Sequence, residues 1–320
     1  YARRCLFMLN ILSYKMSTGQ GQGQTMQWDL WFPGVSVGVG AGRRARRPAV
    51  LVGVLPHSKV IRALMIPSVR GFDILAGMYA ILVILGALPR RFLWDRQSGF
   101  ATRVGRPTDA FASFCGSLAV RPVLAPPRDP ETKGGVERAN RYLQTSFLPG
   151  RVFTSPTDFN AQLDIWLDQV ANRRSVRGLA ATPLEVFETV EAPKMLKLPR
   201  LSPKVGFHEK RRLPRCYYLR FEDNDYSVDP IMIERIVDLH ADLDHVWVTY
   251  QNRVVARHER AWSRGGTITD QAHVAKAAEL RAQFQQERRT PRRGATCTPV
   301  ASRPLSVYDD LYPHPVVGVI

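Results

Sequence analysis

A chain of 320 residues with 45 Lys and Arg against 28 Asp and Glu carries a formal charge of +17. It is long enough for a full core and two domains, and its surplus of cations predicts attraction to a polyanion, nucleic acid first. The four cysteines, Cys5, Cys115, Cys216 and Cys297, are far apart, which excludes a CxxC motif and a small disulfide framework and fits a reducing cytoplasm; no histidine has zinc-finger spacing with them.

Residues 1–24, with the Gly19-Gln20-Gly21-Gln22-Gly23-Gln24 repeat, have little to pack and are expected to form a flexible leader. Three strand patterns follow, Met26 to Phe32, Ala49 to Leu55 and Val60 to Ile66, as a meander. Gly38-Val39-Gly40-Ala41-Gly42 between the first two lacks the Lys-Ser or Lys-Thr of a phosphate-binding loop and reads as a hairpin loop. The uncharged stretch Ile74 to Pro89 falls short of a bilayer span and is expected to be a buried crossover helix, about Phe72 to Gly86. Strand Arg91 to Asp95, helix Thr108 to Cys115 and strand Ala119 to Leu124 continue the alternation.

Asp129 can cap the next helix with Pro130 at its first position, but Gly134 and Gly135 predict that it starts in earnest only at the glycines. Ser155 and Pro156 open another helix, with Phe159, Leu163, Trp166, Leu167 and Val170 as its core stripe. Residues 190–214, rich in Pro, Lys and Arg, read as a basic linker. Five short strands, Tyr217 to Phe221, Tyr226 to Val228, Ile236 to Ala241, His245 to Tyr250 and Val254 to His258, predict a small barrel over residues 215–262. A helix is expected within 263–287 and a mobile tail over 288–320. The fold class is therefore α/β, a mixed sheet with flanking helices over residues 25–189, followed by a small all-β barrel.

Three acids stand out. Asp29 lies inside the apolar run Gln27-Trp28-Asp29-Leu30-Trp31-Phe32, Asp95 ends Phe92-Leu93-Trp94-Asp95, and Glu137 sits in the first turns of a basic helix. An acid inside a strand pattern needs a compensating partner, and a shared divalent metal would supply it. Hard carboxylate oxygens select Mg²⁺ or Mn²⁺, and two such ions about 4 Å apart suit in-line phosphoryl displacement. Arg141 and Gln144 share the helix face of Glu137, whereas Val136, Asn140, Leu143 and Phe147 fall on a largely apolar face. The alternatives remain open: Glu137 and Arg141 as an ordinary exposed pair, Asp29 as an edge-strand acid facing water, and Asp95 as a strand-end turn residue. Trp28, Trp31 and Trp94 read as core packing rather than base-stacking platforms.

The stretches Gln27-Trp28-Asp29-Leu30-Trp31-Phe32-Pro33, Leu93-Trp94-Asp95, Asp129 to Asn140, Ser146 to Arg151 and Asn224-Asp225-Tyr226-Ser227-Val228 resemble the integrase-core, or DDE, transposases. The likeness is strongest to the IstA type, and the chain reads as an N-terminally truncated member. The resemblance implies a ribonuclease-H-like catalytic domain and a Mu-type C-terminal barrel. It places Asp29, Asp95 and Glu137 as catalytic and metal-binding acids, with two Mg²⁺ or Mn²⁺ ions. Lys133, Arg138, Arg141, Gln144, Arg173 and Arg174 become the expected DNA contacts. It further implies cleavage at element ends and strand transfer into target DNA, a homo-oligomer on DNA, a helper AAA+ ATPase, no membrane association, and action at the nucleoid in the cytoplasm. An inactive DNA-binding remnant and a ribonuclease-H-like nuclease are the alternatives.

Overall fold

The computed structural model describes residues 22–35, 37–39, 48–95, 100–102, 105–125 and 130–289. Strands β1 (Thr25–Trp31), β2 (Ala49–Val54) and β3 (Ile61–Ile66) form an antiparallel meander. Helix α1 (Gly71–Leu85) then carries the chain across the sheet to β4 (Arg91–Trp94), which pairs parallel to β1. Helix α2 (Asp109–Ser117) leads to β5 (Arg121–Leu124), parallel to β4, and the strand order is β3-β2-β1-β4-β5. The expected mixed sheet is present, and β1, the strand that carries Asp29, is central rather than at an edge.

Each face of this sheet has its own core. Met26, Trp28, Leu51, Phe92 and Trp94 pack with Ile74, Met78, Leu82 and Phe111 of α1 and α2. On the other face Trp31, Val50, Val52 and Val54 meet helix α3 (Pro130–Tyr142), its wider final turn Leu143–Phe147, and helix α4 (Pro156–Gln169). This explains why β2 is apolar at every position: it is buried on both sides. Ser155 caps α4 by accepting from the Asp158 N–H, as expected, and Phe159, Leu163, Trp166 and Leu167 are buried. Val170 departs from the stripe and is exposed, because it stands at the C-cap where the helix turns away.

Strand β3 is an edge, and two asparagines cover it. Asn160 accepts from Met65 N–H and donates to Met65 C=O at 2.7 and 3.1 Å, and Asn172 does the same for Ile61 at 2.9 and 3.0 Å. Their amides imitate a neighbouring strand and occupy an edge that would otherwise pair with another chain.

Helix α5 (Pro183–Val186) continues as a wider turn to Glu191, whose buried carboxylate accepts from the N–H groups of Gly23 and Ser58. The end of the expected leader is therefore ordered: Gly23 is buried at a φ of +69°, with no room for a side chain beside Met195. Residues 1–21 lie outside the described residues.

The linker expected over 190–214 is also corrected. Leu196 exchanges backbone hydrogen bonds with Leu88, and β6 (Phe207–Arg212) is a strand of the second sheet system. Its sequence hides this because β6 is an edge strand with exposed, charged side chains and almost no apolar alternation. With β7 (Tyr218–Phe221), β8 (Asn224–Ser227), β9 (Ile236–Ala241), β10 (His245–Tyr250), β11 (Arg253–Glu259) and β12 (Thr267–Ile268), it makes two sheets, β11-β10-β9-β6 and β12-β8-β7. Both enclose one core of Leu219, Phe221, Tyr226, Val237, Leu239, Val246 and Val248. The expected five strands thus become seven.

The chain divides into two compact units, Tyr1–Val274 and Ala275–Ile320, so the five-stranded sheet and the smaller β structure belong to one body. The described part of the second unit is the continuation of helix α6 (Gln271–Arg289), and residues 290–320, where most of the mobile tail was expected, lie outside the described residues. Among the described residues no helix is long and apolar enough to cross a membrane. Cys115 is free and buried, its thiol pushed up to about 12 by burial, and Cys216 is free and exposed.

One residue fastens the smaller β structure to the larger sheet. Arg260, buried, donates to both carboxylate oxygens of Asp73 in the first turn of α1 at 2.6 and 2.7 Å, to Glu222 at 2.7 Å and to the Asp242 carbonyl at 2.6 Å. Its guanidinium lies over the rings of Phe221 and Phe72. Arg260→Ala leaves Asp73 buried without its cation and takes from Glu222 the closer of its two, Arg70 lying at 3.8 Å, and the expected loss is about 3 to 5 kcal/mol in urea unfolding. A loss below about 1 kcal/mol would contradict this account.

Candidate functional site

The placement of Asp29 and Asp95 follows from one number. Strands β1 and β4 pair Thr25 with Arg91, Met26 with Phe92 and Gln27 with Leu93, a constant offset of 66, and 95 minus 29 is also 66. Beyond the last ladder pair, Trp28 and Trp94 stack their indole rings with centroids 6.5 Å apart and planes at 7°. Continued by two residues, the same offset would bring Asp29 level with Asp95, the residue that follows β4.

Alternation then fixes the face. Met26 and Trp28 enter the core under α1 and α2, so Gln27, Asp29 and Trp31 turn toward α3, and Asp95, next after Trp94, shares their side. Helix α3 is tied along this face by three hydrogen bonds one turn apart. Val136 N–H donates to Gln27 Oε1 (3.2 Å), Asn140 Nδ2 donates to Asp29 Oδ2 (2.9 Å), and Trp31 Nε1 donates to Gln144 Oε1 (3.2 Å).

The approach is close enough to explain Gly135. A Cβ there would meet Gln27 Oε1 at 2.4 Å, so the glycine's helix penalty of roughly 1 kcal/mol admits the strand–helix contact. The helix accordingly begins at Pro130, not at the glycines, because packing on β1 overrides local propensity. Asp129 lies outside the described residues. Val136, Leu143 and Phe147 are buried as expected, while Asn140 on the same face holds Asp29 and keeps a buried Oδ1 with no hydrogen-bond partner.

Glu137 is exposed on α3, one turn before Asn140. Among the described residues no three Asp, Glu, His or Cys side chains converge as a metal-holding group. Asp29 and Asp95 thus lie on or just past adjacent parallel strands, two residues beyond the last ladder pair, and Glu137 stands on the adjoining helix without closing a set of three. Residues 96–99 and 126–129, which flank Asp95 and α3, lie outside the described residues.

The expected DNA contacts have different surroundings. Arg138 and Arg141 are exposed on α3. Lys133 is in the same helix, its side chain outside the described residues. Gln144 is exposed but engaged by Trp31, and Arg173 is exposed and donates to the Asp168 carbonyl at 3.1 Å. Arg174 is half-buried, packs over the Tyr142 ring at 4.8 Å and donates to the Ala171 carbonyl, so it buttresses α3. Lys59, which the sequence reading missed, lies in the β2–β3 turn at a φ of +64°. Burial first, and then the Arg138 guanidinium, hold its ammonium below the ordinary lysine range, with Glu191 acting in the opposite sense. Nothing in a lone lysine of a turn announces such a neighbour.

Gly135→Ala should displace Gln27 from the Val136 N–H and destabilise the chain by about 1 to 3 kcal/mol in urea unfolding. Gly134→Ala, where a Cβ meets only the far end of Arg138 at 3.3 Å, should not destabilise it. Equal losses at both glycines would refute the role given to Gly135.

Three kinds of comparison find similar proteins. Residues 198–270 match the family described as Mu transposase, C-terminal domain. The chain is 30% identical over 187 residues to the transposase for insertion sequence element IS21 of Pseudomonas aeruginosa, covering 58% of this chain and 44% of that protein. It is 24% identical over 226 residues to the transposase for insertion sequence element IS21-like of Bacteroides fragilis, covering 64% and 42%. Among solved structures, the catalytic core domain of BIV integrase overlays 54% of this chain and 98% of its own at 19% identity and a TM-score of 0.38. The chain spans less than half the length of both transposases. In sequence the chain is similar to transposases of IS21-type insertion sequences, and its residues 198–270 to the Mu transposase C-terminal domain.

Proposed function

We propose that the chain carries the catalytic and C-terminal parts of a DNA transposase, which hydrolyses a phosphodiester at the ends of its element and transfers the freed 3′-hydroxyl into target DNA. The observation that supports this reading is the constant offset of 66 in the β1–β4 pairing, which, continued past Gln27 and Leu93, would bring Asp29 level with Asp95, the residue after β4. The donor chemistry fits a hard divalent cation: carboxylate oxygens, with the partnerless Asn140 Oδ1 beside Asp29. Asp29 and Asp95 would hold Mg²⁺ or Mn²⁺, with Glu137 joining them from α3 to complete a two-ion site. The cations would neutralise the acids and offset the charge that develops at the phosphate.

The remaining work falls to the chain itself. The Asn140 amide fixes one Asp29 oxygen, so the carboxylate is oriented before substrate arrives. Arg138 and Arg141, exposed on the same helix, attract and align the DNA backbone. Strand transfer exchanges one phosphodiester for another and needs no nucleotide hydrolysis; a helper AAA+ ATPase, a homo-oligomer on DNA and action at the nucleoid belong to the same proposal.

Asp29→Asn, Asp95→Asn and Glu137→Gln should each lower strand transfer by at least about a hundredfold, while duplex binding by the basic surface persists. Full activity in any one removes that residue from the site. Calorimetric titration of Mn²⁺ into the folded chain should show binding that Asp95→Asn loses. The outlying position of Glu137 favours a second reading, an inactive DNA-binding remnant. A folded chain that takes up no Mn²⁺, with or without DNA, would establish it, and products cut but never joined would mark a nuclease instead.

A further inference from the structure

The stretch Asn224-Asp225-Tyr226-Ser227-Val228 stands out in the sequence, and neither the larger sheet nor its carboxylates account for it. Its buried polar side chains hold the path that leads from β11 into α6. Asn224 Nδ2 donates to the Ser263 carbonyl (2.8 Å), its Oδ1 accepts from Gly266 N–H (2.9 Å), and the Tyr226 hydroxyl accepts from Ala261 N–H (3.0 Å). Ser227, fully buried, does the rest. Its Oγ accepts from Asp270 N–H (2.9 Å) and lies 2.9 Å from His273 Nδ1, and its carbonyl accepts from His258 Nε2 at 2.6 Å. His258 belongs to β11 and His273 to the first turn of α6; both are buried, and their rings meet edge to face with centroids 6.0 Å apart.

Hydrogen counting assigns the protons. A carbonyl only accepts, so His258 carries its hydrogen on Nε2. Ser227 Oγ already accepts from Asp270, and its own hydrogen reaches an acceptor only if His273 Nδ1 is bare. With both imidazoles neutral, every one of these bonds is made. A proton on His273 Nδ1 would turn that nitrogen into a second donor to Oγ and leave the buried serine hydrogen without an acceptor. It would also set a cation at the positive end of the α6 dipole. A proton on His258 would place a second cation beside that one.

Burial is the largest influence on His258 and holds it below the ordinary histidine range; the His273 charge acts in the same sense, and the bond to Ser227 and the Asp270 carboxylate oppose it. Tyr226 of β8 packs its ring 5.7 Å from that of His258, and Tyr218 of β7 shares a hydrogen bond with Thr269 at 2.9 Å. Among the described residues, Asp270, Tyr226 and Tyr218 are thus the titratable groups around the two imidazoles.

We propose that Ser227, His258 and His273 form an acid-sensitive latch, which fastens the first turn of α6 to β8 and β11 at neutral pH and releases it when the imidazoles take up protons. His258, kept neutral in the closed turn, binds a proton more readily once the turn opens, so opening grows as pH falls below about 6.5. The apolar core of Leu219, Phe221, Val237, Leu239 and Val246 takes up no protons, which confines the release to the turn. The latch works the same whether or not the chain transposes DNA, and it sets how firmly the chain is held where it passes into Ala275–Ile320.

The test is amide hydrogen exchange of the full chain at about pH 7.5 and about pH 5.5, read by mass spectrometry as protection factors that remove the intrinsic effect of pH. Protection over residues 271–277 should fall about tenfold at the lower pH, while β9 and β10 keep theirs. The variant His258→Gln with His273→Asn keeps a donor toward the Ser227 carbonyl and an acceptor toward its hydroxyl, and neither amide titrates. In it the fall should disappear. A fall that survives in this variant belongs to other groups, such as His240 on β9, and refutes the latch. Unchanged protection in the unaltered chain refutes it too, as does a loss spread equally over β9 and β10, which marks opening of the whole β structure. If the variant does not fold, the imidazole resonances of the unaltered chain decide. Loss of protection must then follow the titration of His258, and a loss that is complete while His258 is still neutral overturns the proposal.

Discussion

Strand β1 is the member on which everything else is assembled. It pairs with β2 on one side and β4 on the other, and its alternate residues enter two different cores. A slip of one residue against either neighbour would turn Trp28 out of the first core and Gln27 and Asp29 into it. The register is therefore pinned from both faces, and where β1 presents Asp29 is a by-product of packing.

The same strand explains how an acid is tolerated mid-sheet. Gln27, Asp29 and Trp31 each offer a polar atom toward α3, and the helix answers each one, with a backbone N–H, an amide and an amide oxygen. Satisfied groups of this kind cost little when buried, and they hold the helix to one axial position. The glycine at 135 belongs to this arrangement: a better helix former would push away the contact that sets the register of Glu137 and Asn140 along the strand.

How far the sequence could be read follows from the kind of interaction involved. Strands β1 to β5 and β9 to β11 were visible because buried alternation or continuous apolar runs leave a period, and Ser155 with Pro156 announced α4 by its cap. Asp29 and Asp95 stood out as acids inside or at the end of apolar strand patterns and Glu137 as an acid in a basic helix, and the number 66 was present but meaningless until strand pairing gave it a partner. Gln27, Asn140, Asn160 and Asn172 were invisible as functional or structural groups, since a polar side chain that bonds one distant backbone or carboxylate atom has no periodic signature. Strand β6 was hidden for a related reason: its exposed edge is charged, which in sequence looks like a linker.

The joint at Arg260 shows what charge adds that apolar packing would not. Phe72, Phe207 and Phe221 already lie together there, with centroids 4.9 to 6.3 Å apart, and aromatic packing of that kind tolerates several orientations. A planar guanidinium that must serve Asp73, Glu222 and the Asp242 carbonyl at once accepts far fewer. Replacing the set by well-packed apolar residues could leave the joint as stable, because desolvating the charges offsets much of their attraction. The rotation of the smaller β structure about α1 would then be free to vary. Any surface that must lie beside the carboxylate end of the sheet depends on that rotation being fixed, so the buried charges act on function through geometry more than through stability.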